Sequence, residues 1–153
     1  MEKQLKIKEA LFNACSESIE HRFQVIKHTI DEIQMSLTSE TKSSAGDKHE
    51  TGRAMLQLER EKAGNQLSEI QKTKELLSKI DIYKSTEKVS LGSVVYTSKA
   101  NYFIAISRGE LTVENEKFYA ISSNTPIGKL LMSKTVRDSI TFREQEFVIK
   151  NVF

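Results

Sequence analysis

Apolar positions in the first half of the chain recur on a helical period. Leu5, Phe12, Ile19, Phe23, Ile26, Ile30, Ile33 and Leu37 are spaced 7, 7, 4, 3, 4, 3 and 4 apart, a heptad stripe that predicts one long helix with a single apolar seam. A second stripe runs through Leu56, Ala63, Leu67, Ile70 and Leu77, with Met55, Leu58 and Ile80 beside it. The stretch TSETKSSAGDKHETG between them is polar and holds Gly46 and Gly52. Two seams that must bury each other predict an antiparallel coiled-coil hairpin over residues 1–81. It turns between about Leu37 and Ser44, with Ile33 near Leu56 and Ile19 near Ile70. At a rise of about 1.5 Å per residue, arms of roughly 30 residues are about 45 Å long. That is more than a compact domain of this size uses, so the hairpin is expected to protrude.

From Ile82 the texture changes to Val, Ile, Thr, Ser, Tyr and Phe in short runs, which suits strands. Strands are predicted over Ser93–Thr97, Tyr102–Ser107, Lys117–Ser122, Ser139–Thr141 and Glu146–Val152, the last two forming a hairpin across REQ. Between Ser123 and Lys134 the period becomes helical. Thr125 fits an N-cap, Pro126 the first helical position, and Ile127, Leu130 and Leu131 the apolar face. Residues 82–88 read as a linker and 89–153 as a small α+β module, an antiparallel sheet wrapped on one short helix. Its Tyr102, Phe103, Phe118, Tyr119, Phe142, Phe147 and Phe153 alternate along the strands and are expected mostly in the core. A module of this size buries a modest core and encloses no deep catalytic cleft.

Charge narrows the function classes. A net charge of +2 on 153 residues is too small for binding nucleic acid or anionic membranes by bulk electrostatics. Residues 1–81 carry 13 basic and 14 acidic side chains and residues 82–153 carry 10 and 7, so neither half is a polyelectrolyte. The single Cys15 excludes an internal disulfide, and with only His21, His28 and His49 beside it no Cys/His zinc spacing is available. No run reaches the roughly 20 apolar residues a bilayer span needs, and Glu2 and Glu9 stand where a signal peptide is basic and then apolar. A cytoplasmic protein without a membrane role is expected.

At the tip, Ser44 followed by Asp47 has capping-box-like spacing, which would start the second helix at about Ala45. Asp47 and Glu50, three residues apart, then share one helix face. Acids in a first helical turn are also what the helix dipole favours, so a solvated helix start is the plain alternative. Lys42, Lys48, Arg53 and Arg60 surround the tip and either screen phosphates or keep a charged coiled-coil face in solution, since Glu40, Glu59 and Glu61 alternate with them. His49 is either a proton carrier or an exposed side chain without a role. Cys15 lies beside the seam, and no histidine is placed to activate it as a nucleophile. Gly52 inside the second helix costs about 1 kcal/mol against alanine.

Two patches carry a family resemblance that extends over almost the whole chain. Gly46-Asp47-Lys48-His49-Glu50 is similar to Gly-Asp-Leu-Ser-Glu of the Gre family of bacterial transcript-cleavage factors. The run Ile121-Ser122-Ser123-Asn124-Thr125-Pro126-Ile127-Gly128-Lys129-Leu130-Leu131-Met132-Ser133-Lys134 resembles Ile-Ser-x-x-Ser-Pro-Leu-Gly-x-Ala-Leu-Leu-Gly-Lys of that family's FKBP-like domain. Asp138 falls at the end of the family's Gly-Asp pair, with Arg137 in place of the glycine. Lys48-His49 replaces Leu-Ser, and Thr51-Gly52-Arg53-Ala54 stands where the family has Asn-Ala-Glu-Tyr.

The resemblance implies a monomeric transcription elongation factor that binds RNA polymerase through Asn124, Thr125 and Pro126. It also implies that the tip enters the secondary channel beside the nascent RNA 3′ end, with Lys42, Lys48 and Arg53 near the RNA. Asp47 and Glu50 would assist a Mg²⁺ shared with the polymerase in hydrolysing backtracked RNA, because Mg²⁺ takes only one or two carboxylates and completes its shell with phosphate and water. The protein would be a cofactor of the polymerase's hydrolytic activity and not an enzyme alone. Three other readings stand beside this one: a regulator that occupies the channel without cleavage, an FKBP-like folding helper, and a purely structural coiled coil, which leaves the second patch unexplained.

Overall fold

Helices α1 (Glu2–Lys42) and α2 (Asp47–Ser78) make up the first half of the chain, where the sequence offers strong helix formers and no proline. The computed structural model describes residues 2–42 and 47–153, and the side chains of these except 40–42 and 47–49. Two compact units divide the chain: one is 19–74, the other joins 1–18 to 75–153.

Within 19–74 the seam repeats every seven residues. Ile19, Ile26 and Ile33 of α1 are buried with Leu37, and Ala63 and Ile70 of α2 are buried with them. The arms are antiparallel. Lys74 Nζ donates to Glu20 Oε2 at 2.8 Å, and toward the tip Arg53 Nη1 donates to the Leu37 carbonyl at 3.3 Å. The Lys74 ammonium also lies 4.1 Å from the Phe23 ring centre. Its hydrogen bond, and a second from Gln24, hold the Glu20 carboxyl below the usual range. Residues Leu37 to Lys42 remain helical, so they belong to the arm rather than to the expected turn. The predicted cap at Ser44 and helix start at Ala45 lie outside the described residues. Met55 and Leu58, beside the second stripe, are exposed.

Six strands form the sheet of the other unit: β1 (Val94–Thr97), β2 (Asn101–Ile104), β3 (Gly109–Val113), β4 (Glu116–Ile121), β5 (Ser139–Phe142) and β6 (Gln145–Val152), in the order β3-β4-β2-β1-β6-β5. Five strands fall where alternation predicts them. The sixth, β3, was not expected: GELTV opens on Gly109 and Glu110 and is largely solvated at the sheet edge, so it carries no buried period. Its hairpin with β4 returns the chain in the direction of β2. Consequently β2 and β4 pair in parallel, with Tyr102 opposite Tyr119, in a sheet otherwise antiparallel.

Both faces of this sheet are covered. On one, Val95, Ile104 and Ile149 pack with Val89, Phe147 and Leu131, the last from the short helix α3 (Pro126–Leu131). On the other, Val94, Phe103 and Phe118 have no exposure, and the Tyr96 ring packs 5.8 Å from both Phe118 and Phe153. The start of α1 offers the matching stripe. Ile7, Leu11 and Cys15, four residues apart, are 2% exposed or less, and Ile7 shares a surface depression with Tyr96 and Phe153. Leu5 and Phe12, assigned to the seam by the heptad reading, are only half-buried. A four-residue spacing serves packing on a sheet, whereas the seven-residue spacing serves pairing with a helix.

Candidate functional site

The loop from Ser122 to Pro126 is built by local hydrogen bonds. Thr125 has extended backbone (φ −69°, ψ 156°) and its hydroxyl accepts from the Gly128 N–H at 3.1 Å, capping α3 as expected. The same hydroxyl donates to the Ser122 carbonyl at 2.7 Å, and the Asn124 N–H donates to Ser122 Oγ at 3.1 Å. Pro126 occupies the first helical turn, where its missing N–H costs nothing. Thr125 is half-buried, while Asn124 and Pro126 are exposed and so lie open to a partner. Gly128 is forced by space. A β-carbon there would clash with the Ser122 carbonyl oxygen and stand 2.7 Å from Thr125 Oγ1.

Between α3 and β5 two residues take the left-handed backbone that favours glycine. Ser133 has φ +69° and Arg137 φ +80°. Each stands where the Gre-family pattern quoted above carries glycine. For a non-glycine residue this conformation costs roughly 1–2 kcal/mol, and it persists because both ends of the segment are tied. The Ser133 N–H donates to the Val89 carbonyl and the Val89 N–H to the Lys134 carbonyl, each at 2.8 Å, while the Arg137 N–H donates to the Ile149 carbonyl at 2.9 Å. Asp138 then closes the turn by accepting the Thr135 N–H on Oδ2 at 2.9 Å.

Beside α3 the strands leave an open aromatic concavity of about 480 Å³, walled by Tyr102, Tyr119, Phe142 and Phe147 with Ile127. Arg143 covers Phe142 at 5.0 Å. Burial, and to a smaller degree Tyr119, push the Tyr102 phenol upward. Sequence reasoning placed these aromatics in the core and missed the concavity. β2, β4, β5 and β6 each supply one of these four aromatics, and it is the strand pairing, which sets Tyr102 opposite Tyr119, that gathers them on one sheet face.

At the tip, α2 begins at Asp47, so residues 47 and 50 occupy the first turn of one helix, one turn apart. The Glu50 side chain is exposed; those of Lys42, Asp47, Lys48 and His49 lie outside the described residues. Arg53 is half-buried and bonded to the opposite arm through Leu37, and the Arg60 guanidinium lies back along α2 over Gly64. Among the described residues no group of three or more His, Cys, Asp or Glu is arranged to hold a metal, and no helix is long and apolar enough to cross a membrane. Cys15 is fully buried, and burial pushes its thiol up to about 11 against the opposing charge of Arg108. It therefore remains protonated at neutral pH and is not a nucleophile.

No protein-family model and no curated protein matches this sequence. Among solved structures, one described as the structure of the transcription factor Gfh1 is similar at 19% identity over 89% of this chain and 91% of that one, with a TM-score of 0.35.

Proposed function

We propose that this chain is a Gre-like transcription factor that binds RNA polymerase in the cytoplasm through the Asn124–Pro126 loop of a 89–153 domain. The hairpin of residues 1–81 would present its tip to the polymerase's secondary channel. One observation carries most weight. Ser133 and Arg137 hold positive φ at the two positions where the family pattern has glycine, a backbone requirement that neither side chain advertises. A capped Thr125-Pro126 turn with exposed neighbours adds a surface suited to docking.

The tip chemistry is part of the same reading. Two carboxylates one turn apart at the start of α2 suit Mg²⁺, an ion satisfied by one or two protein carboxylates. Asp47 and Glu50 would hold it jointly with the polymerase, and when bound it supplies an activated water and neutralises charge at the phosphate. The chain's own contribution is to place two acids at the end of a braced arm. Arg53, bonded to Leu37, braces the arm and is a poor candidate for contacting RNA.

Pull-down with core polymerase, then RNA cleavage in a stalled elongation complex, tests the proposal. Asn124→Ala with Pro126→Ala should weaken association in a folded protein, while Asp47→Asn and Glu50→Gln should abolish stimulated cleavage and leave association intact. Failure of the wild-type chain to bind polymerase would overturn the reading. Binding without cleavage at any Mg²⁺ concentration would make it a channel-occupying regulator. The aromatic concavity favours a second reading, an FKBP-like folding helper, which requires catalysis of prolyl isomerisation in a proline-containing peptide.

A further inference from the structure

Among the described residues, Lys8 on α1 is the only charged side chain that is buried, at 4% exposure. Its surroundings leave it incompletely satisfied. Nζ donates to the Lys84 carbonyl at 2.8 Å, it forms no ion pair, and Asp81 acts on it only through space. An ammonium has three donors, and burying a charge without a paired anion is costly. Burial accordingly pushes the Lys8 amine below the usual lysine range, with Asp81 opposing.

The side chain lines a cavity of about 300 Å³ whose apolar walls are Leu5, Ile82, Tyr83 and Phe153, with Glu2 and Ser85 also on the lining. That volume is at the lower end for small-molecule sites, which combine apolar walls with a few placed polar groups. We propose that this cavity binds a small monoanion with an apolar body, such as a medium-chain carboxylate, whose head group takes the open donors of Lys8. The single buried cation sets the charge. Glu2 on the same lining repels a second negative charge and so selects against phosphate esters and dicarboxylates. The apolar walls select against anions as small as acetate. Because Asp81, Ile82, Tyr83, Lys84 and Ser85 are consecutive, ligand at Lys8 would also order the segment joining α2 to the sheet.

Sodium octanoate titrated into the full ¹⁵N-labelled chain tests the site, with octanamide and inorganic phosphate as comparators. Octanoate should shift the amide resonances of Leu5, Ile82, Tyr83 and Ser85 saturably, and the comparators should bind at least roughly tenfold more weakly, the scale of one charge-assisted hydrogen bond. Lys8→Met, close in volume, should keep the native spectrum and lose octanoate binding by a similar factor. Ile82→Trp, which fills the cavity and spares Lys8, should abolish binding and decides the matter if Lys8→Met does not fold. No saturable shift below about 10 mM octanoate, beyond the weakest affinities of specific sites, would overturn the proposal. So would equal binding of octanamide, or undiminished binding by Ile82→Trp or folded Lys8→Met. The proposal is independent of polymerase binding.

Discussion

Replacing Gly128 by alanine is the most direct probe of the loop offered as the docking surface. The added methyl group has nowhere to go. It meets the Ser122 carbonyl oxygen, Thr125 Oγ1 at 2.7 Å and Ser123 Cα at 3.1 Å, two of them backbone atoms that cannot rotate away. Relief requires moving the Ser122 carbonyl, which accepts the Thr125 N–H and hydroxyl, so the cap of α3 is lost with it. A lost cap costs about 1 kcal/mol and forced overpacking about 1–3 kcal/mol, giving an expected loss of roughly 2–4 kcal/mol. Urea unfolding followed by tyrosine fluorescence is the suitable assay, because all four tyrosines, Tyr83, Tyr96, Tyr102 and Tyr119, belong to the sheet unit and the chain has no tryptophan. Thr125→Ala alone should cost about 1 kcal/mol. The double variant should fall short of additivity by about that amount, since both changes remove the same cap. Gly64→Ala, in the 19–74 unit that holds no tyrosine, is the control of opposite sign, followed by far-ultraviolet circular dichroism of the helices. Its β-carbon would meet only the end of the flexible Arg60 side chain at 3.1 Å, and alanine gains about 1 kcal/mol in a helix interior. A loss below about 0.5 kcal/mol for Gly128→Ala, the range of ordinary surface substitutions, would refute the crowding described for this loop.

Three further outcomes follow from the same structure. Arg137→Gly should raise the urea midpoint of the sheet unit, by up to about 1 kcal/mol, since it relieves a left-handed residue at φ +80°; an unchanged or lower midpoint would show that the Arg137 side chain compensates. Burial moves the Cys15 thiol from its ordinary value of 9.0 to about 11, so at pH values between these the folded chain holds a proton that the unfolded chain has released. Stability should therefore be full below about pH 9 and decline as pH rises through about 11, measured as urea midpoints. Iodoacetamide should modify Cys15 at neutral pH only after urea is added, and alkylation without urea would contradict its burial.

The legible parts of the fold were those specified locally. The Thr125-Pro126 helix start rests on one hydroxyl and one ring, both visible in four residues of sequence, and the arms rest on a repeat sustained over many turns. Strand β3 was not legible because Glu110 and Thr112 are solvated and Leu111 and Val113 only partly covered, which leaves too little contrast for a period of two. Ile7 and Leu11 were left out of the apolar stripe for a different reason. A helix that packs on another helix and then on a sheet changes its apolar spacing along its length, and the longer repeat dominates the pattern. For the candidate site, nothing in Ser133 or Arg137 announces positive φ; that constraint is imposed by partners far along the chain, Val89 and Ile149. Lys8 was equally silent, since a lysine beside Ile7 reads as surface until Lys84 closes over it.

The Glu20–Lys74 bond has an evolutionary reading. It ties together the two points between which the hairpin unit is inserted into a sequence-discontinuous partner unit. Segments whose ends are held close tolerate changes of length well, and the seam between them repeats every seven residues. Deleting or duplicating one heptad in each arm preserves the facing register and leaves the clasp in place. The length of the hairpin unit is thus a quantity that descent can adjust in steps of about 10 Å, seven residues at the helical rise, without redesigning the sheet.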